Sequence, residues 1–148
     1  MQNDPVLIRC GSCGTLNRVP LGKLSAHPVC GSCKAPLHFP NAPINVTTES
    51  YDRQVRDWPE FLLAEFWARW CGYCRKIEPI VNTLAANRAG RLKVIKVDVD
   101  AEPALASRFT VKATPTIILY RNGMQIARLD GAPAENSELE RWIDRMIG

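Results

Sequence analysis

Apolar and polar residues follow two different patterns on the two sides of residue 40. Before it, the chain shows no helical periodicity and is rich in Cys, Gly and Pro, a composition that indicates turns. After the proline-flanked segment 40–43, apolar runs typical of buried strands alternate with runs typical of helices. The pattern therefore predicts two units, a small module over residues 1–40 and an α/β domain over residues 41–148.

The second unit has the predicted element order βαβαβαββα. Two nearly continuous apolar runs, Phe61–Trp67 and Leu92–Val99, are expected to be strands buried on both faces. Asn122-Gly123 is a strong hairpin signal between two further strands. The other predicted elements are strands Ile44–Val46, Pro115–Arg121 and Met124–Leu129, and helices Glu49–Asp57, Cys71–Asn87, Ala101–Phe109 and Asn136–Ile147. The expected fold is a central mixed sheet flanked by helices, with parallel βαβ units and an antiparallel final hairpin.

Composition and charge add a few constraints. The net charge of +4 is too weak to imply a nucleic-acid partner, and the basic first unit has only Phe39 for base stacking. No apolar run approaches the length of a membrane span. The first residues show neither the basic nor the long apolar region of a signal peptide. A cytoplasmic protein without a membrane or nucleic-acid partner is therefore expected.

The six cysteines form three Cys-x-x-Cys pairs. In a reducing compartment such pairs are metal ligands or redox centres rather than structural disulfides. Two pairs repeat the unit Cys-Gly-Ser-Cys and are separated by a spacing typical of tetrahedral zinc sites. A module this small needs a metal to fold, so a structural Zn²⁺ is expected on Cys10, Cys13, Cys30 and Cys33. Two disulfides or a second dithiol relay are the alternatives.

The third pair, Cys71 and Cys74, directly follows a predicted buried strand and opens a predicted helix. Unpaired N–H groups and the helix dipole at such a position favour a thiolate and lower the pKa of the thiol. The preceding segment is too aromatic for a zinc knuckle, and no fourth pair exists to complete a second four-sulfur site. The pair is interpreted as a redox dithiol, with a metal knuckle or two inert cysteines as the alternatives.

The segment 66–79, centred on Trp70-Cys71-Gly72-Tyr73-Cys74, resembles the active-site segment of the thioredoxin family. Ala113-Thr114-Pro115-Thr116 resembles the cis-proline loop of that family, and Asn122-Gly123 and Asp130-Gly131-Ala132 match two further landmarks. The likeness spans about residues 44–147. The two Cys-Gly-Ser-Cys units resemble the zinc-binding extension of the bacterial thioredoxin-2 subfamily. The resemblance implies a thioredoxin fold behind a small zinc-ribbon domain.

The resemblance also implies roles for the residues around the dithiol. Cys71 would attack a substrate disulfide, and Cys74 would resolve the mixed disulfide. Pro115 would be cis and packed against the sulfurs, whereas a trans proline at the start of a strand is the alternative. The backbone of Thr114 would pair with an extended substrate. The shallow substrate groove would be lined by Trp70, Gly72, Tyr73, Thr114, Gly131 and Ala132.

Two charged residues, Glu65 and Lys96, interrupt the apolar strands. Buried charges are costly unless they are paired, and the family has an Asp and a Lys at these positions. The resemblance therefore implies that Glu65 exchanges the proton of Cys74, with Lys96 as its partner. Burial should raise the pKa of Glu65, and Lys96 should oppose this rise. A carboxylate at a strand end in water is the alternative.

Tyr73 replaces the proline that typical thioredoxins carry. Its backbone N–H is expected to lie near the sulfur of Cys71 and to favour the thiolate.

The function implied by these residues is thiol–disulfide exchange without an organic cofactor. A protein-disulfide reductase, recharged by an NADPH-dependent thioredoxin reductase, is the leading hypothesis. A redox-gated zinc-binding holdase is the second, and a disulfide oxidase or isomerase is the third.

Overall fold

The computed structural model describes residues 5–131 and 136–147, in which two sheets and four α-helices are found. The strands are β1 Val6–Arg9, β2 Leu16–Val19, β3 Ile44–Asn45, β4 Phe61–Trp67, β5 Leu92–Asp98, β6 Thr116–Arg121 and β7 Met124–Asp130. The helices are α1 Tyr51–Arg56, α2 Gly72–Asn87, α3 Pro103–Arg108 and α4 Asn136–Ile147. From β3 onward the element order is the one that the sequence predicts.

The larger sheet has the strand order β3-β5-β4-β6-β7 and is mixed. Both β3 and β4 run parallel to β5, and the β6–β7 hairpin is antiparallel, as predicted. The expectation of parallel βαβ units is wrong for β5-α3-β6, because β6 runs antiparallel to β4. The six residues of α3 span about 9 Å, whereas the seven residues of β5 span about 23 Å. Helix α3 is too short to span the length of β5, and β6 begins where β5 ends.

The central strand β4 is buried on both faces, with every residue from Phe61 to Phe66 at most 3% exposed. Leu62, Ala64 and Phe66 pack in one cluster with side chains of α1 and α3. Phe61 and Leu63 pack on the other face with side chains of α2 and α4. Because side chains alternate along a strand, Glu65 lies on the face that α2 covers. The sheet thus places this carboxyl and the Cys71–Cys74 segment on the same side.

The N-terminal module, residues 5–40, contains the antiparallel pair β1–β2 and a 3₁₀ turn at Leu21–Ala26, neither of which the sequence pattern predicts. Its apolar side chains share one buried cluster with those of α1 and β4; they are Val6, Ile8, Val19 and Leu37. The buried carboxylate of Glu60 accepts a hydrogen bond from the backbone N–H of Leu7 at 2.7 Å. The module is therefore anchored to the larger sheet by apolar packing and by a buried polar contact.

The polar residues Thr48 and Asp100 lie shortly before α1 and α3 but are not the residues at which these helices begin. Ser50 is the residue before α1, and the N–H and hydroxyl groups of Thr48 donate instead to Glu102. Glu102 is the residue before α3, whose first residue is a proline, the residue type favoured at the first helical position. Asp100, in the turn before α3, accepts a hydrogen bond from the indole of Trp70. Among the described helices, none has the length and apolar character to cross a bilayer.

Candidate redox site and metal centre

Cys71 and Cys74 form a disulfide at the N-terminus of α2, with their Cα atoms 5.3 Å apart. Cys71 is the cap residue of the helix and has an extended backbone, and its sulfur accepts the backbone N–H of Cys74 at 3.1 Å. Both side chains are 5% exposed. The sulfur of Cys71 therefore lies at the positive end of the helix dipole, with one N–H donor already directed at it.

The loop before β6 lies directly beside the disulfide. The Thr114–Pro115 peptide bond is cis, as the resemblance implies, and the carbonyl oxygen of Thr114 lies 3.3 Å from the sulfur of Cys71. Gly131, at φ +81°, donates its backbone N–H to the carbonyl of Pro115 at 2.8 Å. The structure thus brings Thr114, Pro115 and Gly131 together at Cys71. Ala132 lies outside the described residues.

Two aromatic side chains flank the disulfide on the surface. Trp70 is 68% exposed and Tyr73 is 58% exposed, and both belong to the predicted groove together with the exposed Gly72. The indole N–H of Trp70 donates to the carboxylate of Asp100 at 3.0 Å, which fixes the ring. The expected hydrogen bond from Tyr73 to Cys71 is not found: among the described residues, the N–H that reaches this sulfur is that of Cys74.

Glu65 is 1% exposed in the middle of β4, which excludes a carboxylate held in water at a strand end. Burial raises its pKa to about 7, the charge of Lys96 opposes this rise, and the charge of Glu78 adds to it. Its Oε1 atom has no hydrogen-bond partner among the described residues. Lys96 is paired with Glu65 in the strand register, but its ammonium group lies 4.7 Å from the ring centroid of Trp67. Lys96 therefore acts on Glu65 through its charge.

Together, the features of this site support thiol–disulfide exchange. A dithiol at a helix N-terminus can form a thiolate at neutral pH, and its partner cysteine can close a disulfide with it. A buried carboxyl group with a pKa near 7 can accept or donate a proton in the same range. A fold that places this pair beside a cis-proline loop and exposed aromatic side chains defines a thiol–disulfide oxidoreductase.

The other four cysteines converge in the N-terminal module. Their sulfur atoms all lie within 4.8 Å of one another, and two of the separations, Cys10–Cys33 and Cys13–Cys30, are 3.6 Å. Zinc–sulfur bonds of about 2.3 Å in a tetrahedron place the sulfurs about 3.8 Å apart. All four cysteines are free, which excludes the alternative of two disulfides. The donor set therefore fits a closed four-sulfur metal site, and no histidine joins it among the described residues.

The two Cys-Gly-Ser-Cys units form the same turn. The backbone N–H groups of Gly14 and Lys34, each next to the second cysteine, donate to the carbonyls of Cys10 and Cys30. Both residues have positive φ, +79° and +65°. The N–H groups of Cys33 and Ser32 lower the pKa of Cys30 to about 6. Backbone donors of this kind favour the deprotonated sulfur, which is the form that binds a metal.

Three residues that support the sites have no clear signal in the sequence. Asn17 links strand β2 to the second turn, because its side chain accepts the N–H of Gly31 and donates to the sulfur of Cys30. Asp100 holds Trp70, and Glu78 raises the pKa of Glu65. Each acts across a distance in the chain or from a different element. A periodic or spacing pattern therefore does not single them out.

Comparison with known proteins places this fold and site in a family. The family model described as Thioredoxin matches residues 42–145, and the model described as Thioredoxin 2, N-terminal, matches residues 9–35. Thioredoxin C-3 from Corynebacterium nephridii is 33% identical over 142 residues, which cover 96% of each chain. A thioredoxin from Mycobacterium tuberculosis is 36% identical over 104 residues, or 70% of this chain and 90% of that protein.

A solved structure is also similar. It is a mutant thioredoxin from Halobacterium salinarum, with a TM-score of 0.65, 33% sequence identity, and coverage of 75% of this chain and 96% of that chain. The chain belongs to the thioredoxin family, and it carries the N-terminal zinc-ribbon segment of the thioredoxin 2 type. It is a thiol–disulfide oxidoreductase.

Proposed function

We propose that this protein is a general protein-disulfide reductase, with Cys71 as the attacking cysteine and Cys74 as the resolving cysteine. The observation that carries the proposal is the position of Cys71, at the N-terminus of α2 with the N–H of Cys74 at 3.1 Å from its sulfur. A sulfur in this position is the one that ionises more readily. The exposed rim of Trp70 and Tyr73 offers a surface on which many different proteins can dock.

In the first step, the Cys71 thiolate attacks one sulfur of a substrate disulfide. The substrate S–S bond breaks, a mixed disulfide with Cys71 forms, and the other substrate sulfur leaves as a thiolate that takes a proton from solvent. The helix N-terminus and the N–H of Cys74 stabilise the attacking thiolate. The backbone of Thr114, beside Cys71, pairs with the extended substrate, and Pro115 removes a competing donor there. Gly72 and Gly131 complete the groove.

In the second step, Glu65 accepts the thiol proton of Cys74, and the resulting thiolate attacks the sulfur of Cys71. The mixed disulfide breaks, the Cys71–Cys74 disulfide forms, and the second substrate sulfur leaves as a thiolate that takes a proton from solvent. The substrate is then a dithiol, and two electrons have passed to it. A pKa of about 7 leaves Glu65 partly ionised at neutral pH, which suits a proton acceptor. Lys96 tunes this pKa as a nearby charge.

The natural electron donor in this proposal is an NADPH-dependent thioredoxin reductase, which returns Cys71 and Cys74 to the dithiol form. Insulin reduction, measured by precipitation of the free chains and by NADPH consumption with such a reductase, tests the proposal directly. Catalytic turnover that depends on the reductase is expected. Turnover that proceeds only in the oxidising direction, from a dithiol peptide to its disulfide, would instead support the oxidase or isomerase hypothesis.

We also propose that residues 1–40 form a separate zinc-ribbon domain before a thioredoxin domain of residues 41–148. Zn²⁺ held by Cys10, Cys13, Cys30 and Cys33 would supply folding free energy that the small module lacks. A closed set of four sulfurs leaves no open position for catalysis, so the metal is structural. A cytoplasmic location is part of this proposal, because Cys-x-x-Cys pairs that serve as metal ligands and redox centres are typical of reducing compartments. Metal analysis of protein purified under reducing conditions should give one zinc per chain.

A further inference from the structure

We propose that Arg75 is a specificity-determining residue that selects disulfides with an acidic side chain next to the attacked cysteine. The inference rests on the proposed function, because it names the class of protein substrate that this redox site prefers. It follows from the position of the Arg75 guanidinium group and from the partners of the charged groups around it.

The side chain of Arg75 turns back from the first turn of α2 toward the redox pair. Its Nη1 atom donates to the backbone carbonyl of Arg69 at 2.8 Å, in the loop that precedes Cys71. Its Nη2 atom lies 3.9 Å from the position that a Cβ would occupy on Gly72. The guanidinium group is thus held on the surface beside the residue that separates Cys71 from Tyr73. A substrate chain lying on Gly72 would contact it.

The positive charge of Arg75 has no acidic partner among the described residues, since its side chain makes its hydrogen bond to a neutral carbonyl. The acidic groups at this rim are already engaged. Asp100 accepts the indole N–H of Trp70. Asp98 accepts the backbone N–H groups of Asp100 and Ala101.

Two further cations lie near this site. The exposed Arg69 lies 3.9 Å from Asp98, which is a long ion pair, and the ammonium group of Lys76 lies 5.4 Å from the ring centroid of Tyr73. Arg75 and Lys76 make the side of the groove formed by the first turn of α2 positive, whereas Arg69 lies on the Trp70 side with the two aspartates. A carboxylate in the substrate would meet the positive side when its residue lies next to the attacked cysteine. Guanidinium groups bind carboxylates well because two N–H donors match two oxygens.

A different role for Arg75 makes a different prediction. If the guanidinium group stabilised only the Cys71 thiolate, its loss would slow every substrate equally and would raise the pKa of Cys71. If it binds the substrate, its loss slows acidic substrates alone. Two peptides with one internal disulfide each, identical except for Glu or Gln after both cysteines, separate these roles.

The experiment measures the second-order rate constant at which the reduced full-length protein is oxidised by each peptide. In about 20 mM salt the Glu peptide should react about threefold faster than the Gln peptide, within the range of exposed ion pairs. The ratio should approach one in about 0.5 M salt, because screening removes the attraction. Arg75→Gln should bring the ratio to one in low salt, with the rate for the Gln peptide unchanged.

Arg53→Gln is the matched control, because Arg53 is exposed on α1, which packs on the opposite face of the sheet from α2. It should keep the wild-type ratio. Equal rates for the two peptides with the wild-type protein would overturn the proposal. An equal slowing of both peptides by Arg75→Gln, with a raised pKa of Cys71 in iodoacetamide labelling, would also overturn it. If the wild-type protein reduced neither peptide, the proposed function would fail and the inference with it.

Discussion

The chain contains three Cys-Gly-x-Cys units, and it folds them in two ways. In the two metal-site units, the residue after the second cysteine has positive φ and donates its N–H to the carbonyl of the first cysteine, which turns the chain back. In the third unit, Cys74 already lies in the first turn of α2, a helix of 16 residues that starts at Gly72 and continues beyond this cysteine. The spacing brings two sulfurs together in all three units. The backbone that follows decides their surroundings.

The surroundings then decide the chemistry. In the metal-site units the second cysteines, Cys13 and Cys33, are exposed, and two units face each other so that four sulfurs meet. Cys74 is 5% exposed, and in the described part of the chain no second pair faces it and its sulfur neighbour is Cys71 at the helix N-terminus. Two thiolates without further ligands cannot complete a tetrahedral metal site, but they can exchange with a disulfide. The comparison predicts that altering a metal-site unit releases the metal, whereas altering the third unit abolishes disulfide exchange.

The largest expected effect is the loss of the metal from the module. The wild-type site should be fully loaded, because structural zinc binds with about 10–16 kcal/mol. Cys30 is fully buried, and Cys30→Ser removes one of the four sulfur ligands, so the zinc content should fall from one per chain to less than about a tenth. Cys71→Ser is the control and should retain the zinc. Atomic absorption on both variants provides the measurement. Loss of zinc from Cys71→Ser would show that the three units are not separate sites.

The next effect concerns the redox pair. Cys71→Ser should reduce the rate of insulin reduction by about a thousandfold or more, because the nucleophile is removed. Cys74→Ser should still attack and should accumulate a mixed disulfide through Cys71, visible as a mass increase that a reductant reverses. Cys13→Ser, which alters a metal-site unit, should keep the exchange activity of the pair. Accumulation of mixed disulfide on Cys74 in Cys71→Ser would reverse the two roles.

Much of this contrast was predictable from the sequence, because its signals are local. The continuous apolar runs of β4 and β5 predict buried central strands, and Asn122 and Gly123 adopt the positive φ that a tight hairpin requires. The position of Cys71 at a helix start follows from the strand before it and the helix after it. Each of these features is encoded within about ten residues.

Other features depend on contacts between distant elements. Strand β1 has only four residues, and its burial depends on packing against α1 and β4, which the local pattern does not show. The reversed direction of β6 is set by its antiparallel pairing with β4, a strand about 50 residues earlier in the chain. Asp100 could serve either as a helix cap or as a partner of Trp70, and the start of α3 at Pro103 decides between these roles.

The third prediction is a pH dependence of the free energy of unfolding that arises from Glu65 at the redox site and not from the metal site. Burial raises the pKa of Glu65 from its ordinary 4.5 to about 7, so between these values the unfolded chain loses a proton that the folded chain keeps. This difference lowers the free energy of unfolding as the pH rises through that window, and the loss is complete above about pH 7. Glu65→Gln should therefore be more stable than the wild type at pH 8 by about 3 kcal/mol.

At pH 4 Glu65 is largely protonated in both the folded and the unfolded wild-type protein, so the stabilities of the wild type and Glu65→Gln should differ little. Urea unfolding at the two pH values, both with the zinc site loaded, measures the difference. Glu49→Gln removes an exposed carboxyl group and should show no such gain at pH 8. An equal effect of Glu65→Gln at both pH values would mean that the pKa of Glu65 is the same in the folded and the unfolded protein.

The smallest expected effect concerns the residue before the second cysteine. This residue is Ser in the two metal-site units and Tyr73 in the third unit. Cys71 already accepts the N–H of Cys74, and no hydrogen bond from the Tyr73 amide to this sulfur is found in the described part of the chain. Tyr73→Pro removes that amide N–H and should therefore change the reduction potential by less than about 30 mV, which corresponds to about 1.4 kcal/mol. Equilibration with glutathione buffers measures the potential, and Tyr73→Ala, which keeps the N–H but loses the ring, is the matched control. A larger shift toward a more reducing potential in Tyr73→Pro, but not in Tyr73→Ala, would show that the Tyr73 amide binds the Cys71 thiolate in the reduced protein.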